Sequence, residues 1–322
     1  MKYGQIKGLD KKVSRLIQGT VYFTDKNPEQ AFSVFDAAFE QGCNTFDTAH
    51  GYGSGACERV LGQWIKERDN RDEVVILDKG GHPYGGKNRV TPEHITSDIH
   101  ESLERLGVET IELYVLHRDD ITKPVEPIMD CLYEHYQAGR IQAIGGSNWT
   151  YQRLQEANEY ASKNDLLPFA VSSPQFSLAE MVKPAWDDCI SAGHDEAAQA
   201  WYREEDMPLL TWSSLAGGFM TGRFSRDNVG SFSDDDYFAQ VTINAYAYDD
   251  NFTRLERAQQ LAEQKSVSVP QLALAYVLNY PLNIFAIIGS MTGEQFTENA
   301  VALEIDLSQN EINWLNLKSD TL

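Results

Sequence analysis

The stretch Phe46-Asp47-Thr48-Ala49-His50-Gly51-Tyr52-Gly53, followed by Glu58 and Leu61-Gly62, is where the architecture of this chain is read most directly. The run Cys43-Asn44-Thr45-Phe46 gives way to a glycine-rich turn, so Asp47 stands where a short strand passes into a loop. Asp47 and Tyr52 are five positions apart across that turn, close enough to face one cavity. A phenol exchanges its proton readily near neutral pH only if something lowers its pKa from about 10. A cation must therefore come from elsewhere in the chain. The run Val74-Val75-Ile76-Leu77-Asp78 delivers Lys79 just before Gly80-Gly81, and Ile111-Glu112-Leu113-Tyr114-Val115-Leu116 delivers His117 just before Arg118-Asp119-Asp120. Three strand-like ends thus carry an ionisable group each.

Outward from these runs, short β-rich segments alternate with longer helical ones, as a parallel sheet with crossover helices does. Strands are expected at 13–19, 44–49, 74–79, 111–117, 141–147, 169–175, 208–214 and 285–289, the first preceded by a capping hairpin around Gly8-Leu9-Asp10-Lys11. Helices are expected at 28–41, 57–68, 92–105, 127–138, 151–163, 252–265, 270–278 and 292–301. In the first of them Ala31, Val34, Phe35, Ala38 and Phe39 recur at helical spacing. Pro92 opens a helix where its missing N–H costs little, Gly107 stops that helix, and Gly139 stops the next. Eight β-then-α units in 322 residues predict a closed (β/α)8 TIM barrel, with residues 1–322 forming a single domain.

Two insertions break the rhythm, at about 176–193 and 217–250. They follow strands six and seven, on the barrel face where substrates bind, and are expected to form a lid or a pocket wall. The Asp234-Asp235-Asp236 run in the second reads as a solvated loop tip, since no histidine lies near it.

Lys+Arg 27 against Asp+Glu 48 leaves a net charge of −21, which repels nucleic acid and anionic lipid and argues against both as partners. No run approaches the ~20 apolar residues of a membrane span. The Met1-Lys2-Tyr3-Gly4-Gln5-Ile6 start lacks the apolar core of a secretory signal, so a cytoplasmic location is expected. Cys43, Cys57, Cys131 and Cys189 show no metal-type spacing and read as reduced structural thiols.

Taken singly, the candidate residues have plain explanations: an aspartate before a turn caps it, a strand-end lysine pairs with a surface acid, a histidine satisfies a core contact. Their coincidence at the C-terminal ends of strands two, three and four favours chemistry. At this point the sequence resembles the aldo-keto reductase superfamily. The resemblance is carried by FDTAHGYG with Glu58 (46–53 and 58), LDKGG (77–81), LYVLHR (113–118), IGGSN (144–148) and TWSSLAGGFMTGR (211–223), in the family's order.

The resemblance implies an oxidoreductase moving hydride between NAD(P)H and a carbonyl (aldehyde, ketone or sugar), with Asp47, Tyr52, Lys79 and His117 catalytic. Asp47 would hold Lys79, Lys79 would lower the Tyr52 pKa, Tyr52 would donate the proton, and His117 would orient the carbonyl. No GxGxxG follows a first strand, so a Rossmann-type cofactor site is not supported. The family instead implies cofactor contacts from Gly19 and Thr20, from Ser147, Asn148 and Gln175 at the nicotinamide amide, and from Trp212 stacked on the ring. Ser213, Leu215 and Gly217 would line the pyrophosphate path, and Gly289, Ser290, Gln295, Glu298 and Asn299 would complete the site.

The sequence departs from the family pattern at Met291 and Gln295, where basic residues commonly grip the 2′-phosphate of NADP. No Lys or Arg occurs from Asn283 to Gln309, so NAD or dual use is expected beside NADP. A second departure is Asp78, which should point away from Lys79 into the helix layer because side chains alternate along a strand. The rival readings are an NAD-dependent sugar or secondary-alcohol dehydrogenase running oxidatively and a nicotinamide-sensing regulatory subunit. The complete four-residue set argues against the second. Neither substrate nor oligomeric state is fixed by the sequence.

Overall fold

The structure is a computed structural model that describes residues 1–193 and 195–322. Strands β1 (Tyr3–Gly4) and β2 (Val13–Ser14) pair antiparallel. The hairpin they form carries Ile6, Leu9 and Val13 into the floor of a closed barrel. Around that barrel run β3 (Leu16–Gly19), β4 (Thr45–Asp47), β5 (Val75–Gly80), β6 (Ile111–Leu116), β7 (Ile141–Ser147), β8 (Phe169–Ser173), β9 (Leu209–Thr211) and β10 (Ile284–Ile288). They neighbour one another in chain order and β10 closes on β3, all in parallel register, which is the expected (β/α)8 barrel.

Outside it lie α1 (Pro28–Glu40), α2 (Ala56–Arg68), α3 (Pro92–Leu106), α4 (Glu126–Gln137), α5 (Tyr151–Lys163), α6 (Glu196–Glu204), α7 (Tyr237–Tyr246), α8 (Asp249–Lys265), α9 (Val269–Asn279), α10 (Gly293–Ala300) and α11 (Gln309–Leu315). Alternation along each strand divides the apolar residues into two cores. Ile17, Val75, Leu77, Leu113, Val115, Ala143, Val171, Leu210, Phe285 and Ile287 fill the barrel, while Leu16, Phe46, Ile76, Tyr114, Leu116 and Ile144 face the helices. Close packing of α2 on the end of α3 demands a glycine, because a Cβ at Gly62 would collide with the Leu106 carbonyl oxygen.

Several elements differ from expectation, each for a local reason. β8 stops at Ser173 rather than residue 175 because Pro174 has no N–H to give the ladder. β9 stops at Thr211 because Ser213 adopts a left-handed φ of 52°, which turns the chain out of the sheet. Helices α6, α7 and α11 were not anticipated, although Asp195, Asp236 and Ser308 cap them with side-chain hydrogen bonds. Asp236 is thus more than part of a solvated loop tip: it accepts from Ala239 N (3.1 Å) and pairs with Arg223 (2.8 Å). Among the described residues no helix is long and apolar enough to cross a membrane.

Asp78 does face the helix layer, where it is fully buried and no cation pairs with it among the described residues. Burial and the nearby charge of Glu58 push its pKa well above the usual carboxylate range, so the folded protein keeps it protonated where the unfolded chain ionises near pH 4. Its contribution to stability is present below that pH and is lost as the pH rises toward its folded pKa. Thermal melts from pH 4.5 to 8.5 check this: Asp78→Asn should gain Tm relative to wild type as pH rises. A Tm difference that stays constant with pH would exclude the buried, protonated carboxyl.

Candidate functional site

One parity rule assembles the site. Asp47 continues the inward face of β4 begun by Thr45, Lys79 that of β5 after Val75 and Leu77, and His117 that of β6 after Leu113 and Val115. Gln175 and Trp212 stand two residues beyond Ser173 and Leu210, and their backbones form a parallel bridge. All of these side chains are therefore delivered to the C-terminal mouth of the barrel, above its apolar filling.

Lys79 Nζ donates to Asp47 Oδ1 and to the Thr48 carbonyl (3.3 Å). Both side chains are almost wholly buried, with relative exposures of 3% and 5%. Burial opposes the charge on Lys79, but Asp47 and Tyr52 outweigh it and hold the ammonium above its ordinary pKa. Burial lifts Asp47 against the pull of Lys79. Lys79 Nζ lies 5.3 Å from the centre of the Tyr52 ring.

For Tyr52 the expected effect of the lysine is present but does not prevail. Burial raises the phenol above 10, and Lys79 and Arg118 pull it back only in part. The expectation of a net lowered pKa is therefore corrected: desolvation of a phenolate at this depth outweighs two nearby cations, and the resident form is the neutral phenol. His117 stands edge-on to Tyr52 with ring centroids 5.5 Å apart. Burial first, then the charges of Lys79, His82 and Arg118, drive its pKa well below 6.5, so it is a neutral imidazole, and its Nδ1 is buried without a partner among the described residues.

The turn carrying Tyr52 is braced from behind. Tyr52–Gly55 is a short helical turn in which Gly53, Ser54 and Gly55 have φ of 55°, 53° and 85°. Arg105, from α3, donates to the His50 carbonyl (3.1 Å), to Glu58 (2.9 Å) and to Glu101 (2.5 Å), and a Cβ on Gly55 would press on its guanidinium. Glu58, at 0% exposure, thus anchors Arg105 against the turn.

The candidate cofactor residues gather at the same mouth. Ser147 Oγ donates to the Ser173 carbonyl (2.8 Å). Asn148 donates to Ser147 Oγ (3.1 Å) and to the His117 carbonyl (3.3 Å), and accepts from Ile190 N (3.2 Å). Gln175 is held by Ser177 and Ser191, 2.7 Å each, with one amide N–H left over. Trp212 Nε1 and Thr20 Oγ1 are buried without partners among the described residues, the latter just past Gly19, whose own neighbour is Asp47. Ser213, Ala216, Gly217 and Gly218 all have positive φ, the kind of backbone in which N–H groups left outside the turn's own hydrogen bonds suit an anion. At β10, Gln18 reaches the Ser290 carbonyl (3.2 Å), and Ser290 Oγ accepts from Asn299 (3.0 Å). Gln295 accepts from Met291 N (2.8 Å), whereas Glu298 is exposed on α10. Leu215 is half-buried, and Gly289 lies beneath Tyr22. A nicotinamide dinucleotide fits this set: the unpartnered donors and the anion-suited turn are what its amide and pyrophosphate require.

Residues 15–319 match the family model Aldo/keto reductase family. The chain belongs to that family. It is similar to the uncharacterized oxidoreductase YrpG of Bacillus subtilis (strain 168), 28% identical with 98% of this chain and 95% of that protein covered. It is 27% identical to a probable voltage-gated potassium channel subunit beta of Oryza sativa subsp. japonica, over 95% and 92% of the two chains. Its fold is that of a glycerol dehydrogenase from Gluconobacter oxydans, with a TM-score of 0.79, 22% identity, and 98% and 94% coverage. As a member of the aldo/keto reductases the chain is an NAD(P)-dependent oxidoreductase acting on carbonyl compounds.

Residues that the sequence reading gave no role also reach the mouth of this reductase. His82, beyond β5, stacks edge-on to His117 at 4.7 Å. Trp186, from the first insertion, lies 6.0 Å from Trp212 and donates to Tyr237 on α7 (2.9 Å), so the two insertions meet. The signal for His82 was its place directly after a strand-end Gly-Gly pair; nothing in the local pattern marks Trp186.

The buried pair makes a stability prediction. Lys79→Met leaves Asp47 uncompensated and should cost about 3–5 kcal/mol, whereas adding Asp47→Asn should restore much of that loss. Urea unfolding of the two single variants and the double variant measures the coupling. Additive losses would mean that the two side chains do not act as a pair.

Proposed function

We propose that Asp47, Tyr52, Lys79 and His117 are the catalytic set of a carbonyl reductase. The observation that carries this reading is the buried Asp47–Lys79 pair beside a neutral phenol, with a neutral imidazole edge-on to that phenol. Bound nicotinamide supplies the hydride. Tyr52 donates its proton to the carbonyl oxygen as negative charge develops there, and Lys79 stabilises the phenolate left behind. Asp47 fixes the lysine. His117, uncharged, donates an N–H to the same oxygen and sets its direction. Gln175, Asn148 and Ser147 hold the nicotinamide amide, Trp212 backs the ring, and Gly19 and Thr20 line its edge. Ser213, Leu215 and Gly217 carry the pyrophosphate, and Gly289, Ser290, Gln295, Glu298 and Asn299 take the adenosine end. The substrate is a small aldehyde, ketone or sugar, and four buried, free cysteines support a reducing cytoplasm as the setting.

Cofactor choice follows from the charges near β10. Gln295 and Met291 bond to each other, and the arginines that could substitute are engaged: Arg223 with Asp236 and Arg226 with Asp249 and Glu256. A 2′-phosphate therefore meets no free side-chain cation among these residues, and a charge-assisted contact is worth roughly 1.5–3 kcal/mol. NADH should serve within about tenfold of NADPH in kcat/KM, and Gln295→Arg should shift the ratio toward NADPH. A wild-type preference for NADPH of a hundredfold or more would sink this reading of the β10 end.

Tyr52→Phe should lower carbonyl reduction by about 10²- to 10⁴-fold with cofactor affinity nearly unchanged. Because the buried phenol titrates above 10, wild-type reductive kcat/KM should stay flat through pH 8 and fall only at more alkaline pH. Stopped-flow hydride transfer and fluorescence titration of the cofactor separate the two effects. Retention of more than about a tenth of the rate would remove Tyr52 from the role of acid.

A further inference from the structure

Arg118 is a buried arginine whose fork is largely unused. It follows His117 at the end of β6 and is 9% exposed. The other buried arginines each face a carboxylate, Arg153 with Asp119 (3.2 Å) and Arg254 with Glu180 (2.7 Å). Arg118 makes no ion pair among the described residues, and its one side-chain hydrogen bond runs from Nη1 to the His117 carbonyl (2.9 Å). The two carboxylates next to it in sequence turn elsewhere, Asp119 to Arg153 and Asp120 to Thr122 (2.6 Å). In a chain of net charge −21, a buried guanidinium without an acid is an unbalanced cost that a ligand can offset.

Its position says which ligand. The Trp149 indole grips the Arg118 carbonyl (3.0 Å), fixing the backbone. Asn148 ties the His117 carbonyl to Ile190 N, which brings Cys189 and the first insertion beside the guanidinium. The charge on Arg118 is felt by Tyr52, His117, His82 and Cys189, so the guanidinium stands within electrostatic reach of the reacting groups and of the insertion that carries Cys189. His82 and His117 supply the remaining polar edge, at 4.7 Å from one another.

We propose that Arg118 is the specificity-determining residue of this reductase and that the preferred substrate is a carbonyl compound bearing an oxyanion, a carboxylate or a phosphate, a short distance from the carbonyl. The inference rests on the carbonyl-reductase reading of the site. The guanidinium presents parallel N–H groups that match either anion, and it places the carbonyl oxygen between Tyr52 and His117.

The test compares two matched pairs of aldehydes on the full-length enzyme, butanal with 4-oxobutanoate and glyceraldehyde with glyceraldehyde 3-phosphate. Wild type should prefer the anionic member of at least one pair by roughly 10- to 100-fold in kcat/KM, and the pair that shows it identifies the anion. Arg118→Met should collapse that ratio toward one, whatever it does to both rates together, and Arg118→Lys should keep part of it. Titration calorimetry with glutarate and with inorganic phosphate reads the subsite without turnover: wild type should bind one of them at least tenfold more tightly than Arg118→Met. Neutral aldehydes reduced as well as anionic ones, or a ratio unchanged in Arg118→Met, overturns the proposal and leaves the reductase standing. If no carbonyl is reduced, the reductase reading fails; anion binding lost in Arg118→Met then still supports the subsite, and its absence overturns that as well.

Discussion

The buried pair of Asp47 and Lys79 is the contact on which the mouth of this barrel depends. Each side chain belongs to a different strand, and each would be intolerable alone at such depth, because an uncompensated ion in the interior is far costlier than a paired one. The pair therefore locks the ends of β4 and β5 together, and with them the turn that carries Tyr52. Lys79 is held at a set distance from the phenol by a partner that has nowhere else to go. Arg105 and Glu58 brace the same turn from the helix side, so the phenol is fixed from two directions. Rigidity here serves the proposed chemistry, since a proton donor misplaced by about an ångström loses most of its effect.

Depth sets protonation as well as geometry. Desolvation acts against every charge at the mouth, and its sign differs by group: it keeps Tyr52 protonated and His117 neutral. Two neutral hydrogen-bond donors beside one enforced cation form an arrangement suited to a developing oxyanion. Had the site been wetter, His117 would titrate in the physiological range and its role would change with pH.

Much of this was legible in the sequence because alternation along a strand is rigid. Once Leu77 is inside the barrel, Lys79 is inside and Asp78 is outside, and the same parity sends Asp47 and His117 to the mouth. The order of strands followed from their spacing. What was not legible depends on energies that no local pattern carries. The net rise of the Tyr52 pKa is a contest between burial and two cations, decided by depth. Helix α6 follows the first insertion and α7 lies within the second, where periodicity is weak, and the aspartates that cap them look in sequence like loop acids. The meeting of Trp186 with Trp212 and Tyr237 joins residues from both insertions, a tertiary contact outside the reach of a single segment.

The surface and the mouth of the protein carry opposite characters, and the contrast bears on what can enter. A net charge of −21 is spread over a surface where it is screened within about 8 Å at physiological ionic strength, so it weakens distant attraction of anions without reaching into the barrel. Inside, Lys79 is neutralised by Asp47, and its field at the phenol is that of a pair. Among the described residues Arg118 has no such partner, so the unscreened positive charge of the mouth is concentrated in one side chain next to His117. Field from a single uncompensated cation in a low-dielectric wall falls off more slowly than that of a pair, and it is the term that distinguishes an anionic ligand from a neutral one of the same size. The proposed division of labour follows: the Asp47–Lys79 pair tunes the proton donor, while Arg118, left unpaired beside it, is free to select the substrate.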